Sequence, residues 1–270
     1  MTVVLQVSDT HFGTEQPFAM AALERLCGDL QPDLLLVTGD ITQRAGADEF
    51  TRARAFFDKL GVAARLVLPG NHDIPLFDLF TRVFKPYERY ARAFGTALEG
   101  EFERDDLLVI ALNTTRRYRH KHGEISRAQI DRVAERLARA GSQQLRLVAV
   151  HQPLAVTTDA DVDNLVRGHE HAMRRWAEAG VDAVVGGHIH LPYVLPLRER
   201  WPELPHPVWA VQAGTAVSSR VRAGIANSVN VIRVAPVRSA VVERWDVDET
   251  AGVFRQVLST AIAGGRSVEP

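Results

Sequence analysis

Aspartate, asparagine and histidine recur along this chain in five short clusters: Asp9 with His11, Asp40, Asn71 with His72, His151, and His188 with His190. Carboxylate, amide and imidazole groups are the oxygen and nitrogen donors that hold divalent metals. Two such ions held about 3.5–4 Å apart need a bridging anion to offset their repulsion. Asp40, alone after glycine in Thr-Gly-Asp, is the natural bridge, since a carboxylate offers one oxygen to each ion. Asp9 and His11 stand at i and i+2, and His188 and His190 repeat that spacing. Two carboxylates against two divalent ions leave net positive charge, which attracts an anion such as phosphate and lowers the pKa of a bound water. The pattern is that of a two-metal enzyme.

Each cluster follows an apolar run, at 3–7, 34–37, 66–68, 147–150 and 184–185. Short apolar runs bounded by turn residues read as buried strands. Placed in one sheet, their carboxyl ends would bring every donor to a single edge, where open α/β sheets bind ligands. Between them, Met20, Leu23, Cys27 and Leu30 mark one helical face, and Phe50, Ala53, Phe57 and Leu60 another that ends at Gly61. Alternating β and α predicts parallel strands with crossover helices. Residues 76–94 read as helix broken at Pro86. Residues 107–112 read as a further strand, and Ser126 with Gln129 forms a capping-box signal for the next helix. A last helix is expected around 169–179.

From residue 207 the pattern changes to short β-rich runs at 208–211, 229–234, 241–247 and 253–257, which predict a second, largely antiparallel sheet. Two stacked sheets with helices outside bury both, so the expected class is α/β, a four-layer αββα sandwich of two mixed sheets. One domain over 1–258 is expected, followed by a loose tail at 259–270.

Composition narrows the partners. The formal net charge of −1 gives no general attraction to nucleic acid or to an acidic membrane. The single cysteine, Cys27, forms no intrachain disulfide and sits at core spacing, in keeping with a reducing compartment. The chain starts directly on its first apolar run, and no run nears the roughly 20 residues that span a bilayer. The expected location is cytoplasmic.

Taken together, Asp-Thr-His at 9–11, Gly-Asp at 39–40, Gly-Asn-His-Asp at 70–73, His151 and Gly-His-Ile-His at 187–190 resemble the signature of the calcineurin-like metallophosphoesterase superfamily. Size and motif style are similar to its compact bacterial phosphodiesterase branch, which includes cyclic-nucleotide enzymes. The resemblance implies that Asp9, His11, Asp40 and His190 hold one metal, and that Asp40, Asn71, His151 and His188 hold the other. The ions would be divalent or mixed-valence, drawn from manganese, iron, zinc and cobalt. His72 would bind the scissile phosphate and assist the leaving oxygen, with Asp73 orienting it. Hydrolysis of small phosphodiesters, 3′,5′-cyclic nucleotides the named candidate, is the implied activity. A phosphomonoesterase or nucleotide pyrophosphatase keeps the same metals, and a non-catalytic scaffold is the alternative of a different class. One departure is Gln152, where cyclic-nucleotide enzymes often carry a second histidine before proline.

Other polar features carry less. Arg116 and Arg117, in a basic stretch with Arg119, His120, Lys121 and His122, are candidate substrate contacts if that loop curls over the site, as is Arg220 after Gly214-Thr215-Ala216. His169 and His171 differ by two on a helix and share no face. Asp159, Asp161, Asp163 and Glu170 mimic EF-hand spacing, but Asn164 stands where the calcium loop requires glycine. The expected partner is a small phosphoester, with no membrane and no long nucleic acid; self-association is compatible with the composition.

Overall fold

Strands with apolar side chains on both faces must be covered twice, and that requirement sets the layers here. The computed structural model describes residues 1–263. In β1 (Val3–Val7) and β2 (Leu34–Thr38), Leu5, Val7, Leu35 and Val37 point one way, into α1 (Pro17–Leu30) and α2 (Ala47–Lys59). Val4, Leu34 and Leu36 point the other way, against a second sheet. That sheet repeats the arrangement. Leu108 and Ile110 of β5 (Leu107–Ala111), Val148 of β6 (Leu145–Ala149) and Val184 of β7 (Ala183–Gly186) pack on α5 (Arg127–Ala138) and α6 (His169–Glu178). Leu107, Val109, Leu147 and Val185 meet the first sheet in the middle layer. The result is the four-layer α/β sandwich.

The remaining elements complete two six-stranded mixed sheets. β3 (Ala64–Leu68) pairs parallel with β2, while β10 (Ser228–Ala235), β11 (Ser239–Asp248) and β12 (Val253–Ala263) add antiparallel beside β1. The first sheet runs β12-β11-β10-β1-β2-β3 and the second β4-β5-β6-β7-β9-β8, with β4 at Gly100–Arg104, β8 at Tyr193–Pro196 and β9 at Trp209–Gln212. Two short helices, α3 (Leu79–Phe84) and α4 (Glu88–Phe94), flank the break at Pro86. Among the described residues no helix is long and apolar enough to cross a membrane.

Three expectations are corrected. The β-rich runs after residue 207 do not form a sheet of their own: β9 joins the second sheet, parallel to β7, and β10–β12 extend the first. The donor-bearing strands are likewise divided, β1–β3 in one sheet and β6–β7 in the other. The predicted tail does not begin at 259, because β12 pairs with β11 through Ala263; its residues 264–270 lie outside the described residues.

Candidate metal centre

The loops leaving β1, β2, β3, β6 and β7 meet where the carboxyl ends of the two sheets face each other. Asp9 N–H donates to the Gly39 carbonyl and His11 N–H to the Asp40 carbonyl, each at 3.0 Å, so the first two loops are laced together. Asp9, His11, Asp40, His188 and His190 all have positive φ, between 40° and 76°. Non-glycine residues rarely adopt that conformation, and its concentration on five neighbouring donors marks a built site. Two glycines permit the packing. A Cβ on Gly70 would collide with Asp40, and one on Gly187 with Ser8 and Asp9.

The donors form two groups that share Asp40. Ligand atoms of Asp9, His11, Asp40 and His190 lie within 4.8 Å of one another, and so do those of Asp40, His151 and His188. Asn71 completes the second group, its Oδ1 3.2 Å from His151 Nε2. Asp40 divides its oxygens: Oδ1 is 3.2 Å from His151 Nε2, and Oδ2 is 3.8 Å from His11 Nε2. His151 Nδ1–H donates to the Thr38 carbonyl at 2.8 Å and His190 Nδ1–H to the Arg220 carbonyl at 2.6 Å. These bonds fix both rings with Nε2 inward, as carbonyl partners do for metal-ligating imidazoles.

These residues fit a pair of cations. Burial raises the Asp9 and Asp40 carboxyls, yet the facing His190 and His151 outweigh it and hold both below the ordinary carboxylate range. Burial alone would neutralise His151, but Asp40 pushes it up to about 9; Asp9 likewise raises His190. Burial keeps His11 and His188 neutral, each down to about 3. Two ionised carboxylates in a water-poor site therefore require positive partners, while neutral imidazoles turn lone pairs toward them. His188 is decisive, since both its ring nitrogens are buried without a hydrogen-bond partner. In the neutral ring one of those nitrogens carries a buried lone pair, which costs free energy unless a cation takes it. The buried Asp/His cluster thus suits a dinuclear divalent site.

A family model described as calcineurin-like phosphoesterase matches residues 2–192, most of the chain and every donor above. The chain belongs to the calcineurin-like phosphoesterase family. It is 27% identical over 202 residues to a cAMP/cGMP dual specificity phosphodiesterase of Mycobacterium tuberculosis, covering 70% of this chain and 61% of that protein. A probable cyclic nucleotide phosphodiesterase of Rhodococcus erythropolis is 26% identical over 200 residues, covering 69% and 64%. The chain thus aligns with less than two thirds of the length of either relative. Among solved structures, a purple acid phosphatase from yellow lupin superposes with a TM-score of 0.71 at 14% identity, over 97% of this chain and 53% of that one. A dimetal phosphatase from Danio rerio gives 0.67 at 12%, over 98% and 99%. At such identities these structures share the fold. Family membership and the buried cluster are therefore what any reading of its activity must start from.

His72 stands beside the first group, its ring centroid 4.8 Å from that of His11. Its orientation corrects one expectation. His72 Nδ1 meets the Gln43 carbonyl at 2.9 Å, and Asp73 does not touch the ring. The Asp73 carboxylate instead accepts from Ile41 N, Thr42 N, Thr42 Oγ1 and Gly70 N, at 2.8–3.0 Å, and so clamps the Asp40 loop to the Asn71 loop. Burial and the charge of Asp40 push this carboxyl up to about 6, against the pull of those donors.

The arginines also separate. Arg220 reaches the site, with Nη1 3.2 Å from His72 Nε2 and 3.1 Å from Gln43 Oε1. Arg116 and Arg117 turn to the scaffold: Arg116 donates to the Asn113 and Thr115 carbonyls and to Gln129, and Arg117 to the Val83 carbonyl. From the same stretch it is His120 that lines the cavity beside His72. Gln152 is buried and accepts from Thr114 Oγ1 at 2.5 Å, anchoring the start of that loop. Gln43 was not singled out by sequence reading; its place three residues beyond Asp40, on the same loop, was the available signal. Asp161 of the acidic loop is bound by Arg222 at 2.9 and 3.1 Å, an ion pair rather than a calcium site.

Proposed function

We propose that the protein hydrolyses small phosphodiesters, 3′,5′-cyclic nucleotides among them, with Asp9, His11, Asp40, Asn71, His151, His188 and His190 holding two metal ions. The observation that carries this reading is one carboxylate, Asp40, serving two donor groups beside a histidine that belongs to neither. Divalent ions at such a site, manganese, iron, zinc or cobalt, supply Lewis acidity toward phosphoryl oxygens and lower the pKa of water. The chain's own residues do the rest. Anchoring of Nδ1 on the Gln43 carbonyl leaves His72 Nε2 as the atom that meets the substrate. Acting as an imidazolium, His72 gives the leaving oxygen its Nε2 proton as the bond from phosphorus to that oxygen breaks and one to water forms, and the proton shed by the water recharges the ring before the next turnover. Arg220, whose guanidinium already sits against Nε2, binds a non-bridging phosphoryl oxygen. The diesterase choice is supported by the activity named for the two bacterial relatives.

The test compares kcat/KM for cyclic AMP, bis-nitrophenyl phosphate and nitrophenyl phosphate with manganese present. Preference for the diesters is expected. A consistent preference for the monoester overturns the diesterase reading and leaves the metal centre standing.

A further inference from the structure

Two openings flank the metal centre, and they differ in chemistry. One, of about 550 Å³, is bounded by His188 and His190 and has Lys121, Arg220 and the Arg222–Asp161 ion pair on its walls. It is polar and wide. The other, of about 300 Å³, is narrower: His72 and Asn71 form its inner end, Ile74, Pro75, Leu76 and Phe77 its wall, and His120 part of its rim. Its volume lies at the lower end of the range for small-molecule sites, enough for a ring and too small for an oligomer. Two cations also line it: Arg89, neutralised by Asp78 at 2.9 Å, and Arg44. Phe77 presents its ring there while 81% exposed, an apolar surface that a bound group would cover.

We infer that this narrower cavity receives the leaving alcohol of the substrate and selects aromatic or compact apolar alcohols, with Phe77 as the specificity-determining residue. The inference rests on the phosphodiesterase reading above, concerns acyclic diesters, whose two alcohols are separate groups, and names the arm that occupies each side. His72 decides the assignment. It is the group placed to protonate the departing oxygen; its Nε2 meets Arg220, on the wall of the wide opening, while its ring borders the narrow cavity. The departing oxygen must therefore face the Phe77 wall. The retained arm, with the phosphate, is left to the cationic opening.

The experiment uses the manganese-loaded full chain, wild type and Phe77→Ala. Three diesters separate the arms: methyl nitrophenyl phosphate and bis-nitrophenyl phosphate share an aryl leaving group, while methyl trifluoroethyl phosphate has a small aliphatic one. Phe77→Ala is expected to lower the preference for aryl over trifluoroethyl leaving groups by about 2- to 10-fold, the worth of one aromatic pair. The change should come through KM and be equal for the two nitrophenyl substrates. Phe77→Tyr, which keeps the ring, should restore the preference. A loss confined to bis-nitrophenyl phosphate would put the retained arm in the cavity and overturn the assignment, as would an unchanged preference. Calorimetric binding of phenylphosphonate against methylphosphonate tests the cavity without turnover. Equal affinities in the wild type sink the cavity assignment alone. Tighter phenylphosphonate binding in a protein that cleaves no diester sinks the phosphodiesterase reading alone.

Discussion

Asp73 offers the sharpest separation of scaffold from chemistry. Its buried carboxylate holds four donors, three of them the backbone N–H groups of Ile41, Thr42 and Gly70. Asp73→Ala leaves those three unpaired in a site closed to water. Each buried, unsatisfied donor costs about 1–3 kcal/mol, and Thr42 Oγ1 retains the N–H of Ala45 at 3.1 Å, so it adds little. The three sum to about 3–9 kcal/mol, and a loss near the lower end, about 4 kcal/mol, already corresponds for a chain of this size to a fall in Tm of about 8–15 °C. Asp73→Asn keeps one acceptor oxygen but turns an NH₂ toward two of the donors, so its melting point should fall between the other two. Because the clamp joins the loops that carry Asp40 and Asn71, metal affinity should fall along with stability. Thermal melts with excess manganese and with chelator, on metal-analysed protein, are the assay. Asp73→Ala melting within about 2 °C of wild type, with turnover lost only on poor leaving groups, would refute the clamp and return Asp73 to His72.

Three other outcomes are expected. Asp40→Ala should deplete both metal positions and His11→Ala mainly one, read by metal analysis after equilibration; two full equivalents in Asp40→Ala exclude an essential bridge. His72→Ala should keep its metals but lose roughly 10²–10⁴ in rate on alkyl esters, with a smaller defect on nitrophenyl esters; equal loss on both points to phosphate binding alone. The third concerns pH. Burial pushes the Asp106 carboxyl up, but bonds from Thr2 N at 2.9 Å and Thr2 Oγ1 at 2.6 Å outweigh it, so its folded pKa is depressed. Its stabilisation is then present above the unfolded carboxylate pKa of about 3.9 and is lost as pH falls through the folded value. Asp106→Asn should lower Tm by a few degrees at pH 7 and converge on wild type in acid; a constant gap across pH would exclude an ionic contribution.

The donor set was legible because each member is chemically distinctive and follows an apolar run. Asp9, Asp40 and His151 need no knowledge of strand order to be recognised as candidate ligands. What the runs cannot encode is which strands become neighbours. The segments 34–37 and 147–150 read alike, yet one lies in each sheet. Residues 209–212 and 228–235 are both short and β-rich, and they too divide. Side-chain direction was equally hidden: Asp73 follows His72 directly, but the return of the Asp40 loop supplies better donors than the ring does. Arg116, Arg117 and Arg220 are all loop arginines in sequence. Only the closure of the second sheet against the first brings Arg220 to His72 and leaves the other two on carbonyl groups.

Division of the donors between two sheets changes what the fold must do. A site on one sheet edge is positioned by the ladder of that sheet. Here the first metal group takes Asp9, His11 and Asp40 from one sheet and His190 from the other, while the second takes Asp40 and Asn71 from the first and His151 and His188 from the other. Neither group is complete without the middle layer that holds the sheets together. Val4, Leu36, Leu147 and Val185 in that layer therefore serve the site as well as the core, because a shift between sheets separates Asp40 from His151. The lacing across the seam is correspondingly polar and specific: Gln6 Nε2 donates to the Gly186 carbonyl at 2.9 Å, and His188 N–H to the Asp9 carboxylate at 3.0 Å. Left-handed backbone at five donors is the local cost of turning side chains into the seam, and cations held between the sheets would offset it. Metal binding and sheet-to-sheet packing should thus stabilise each other, since both depend on the same relative position of the sheets.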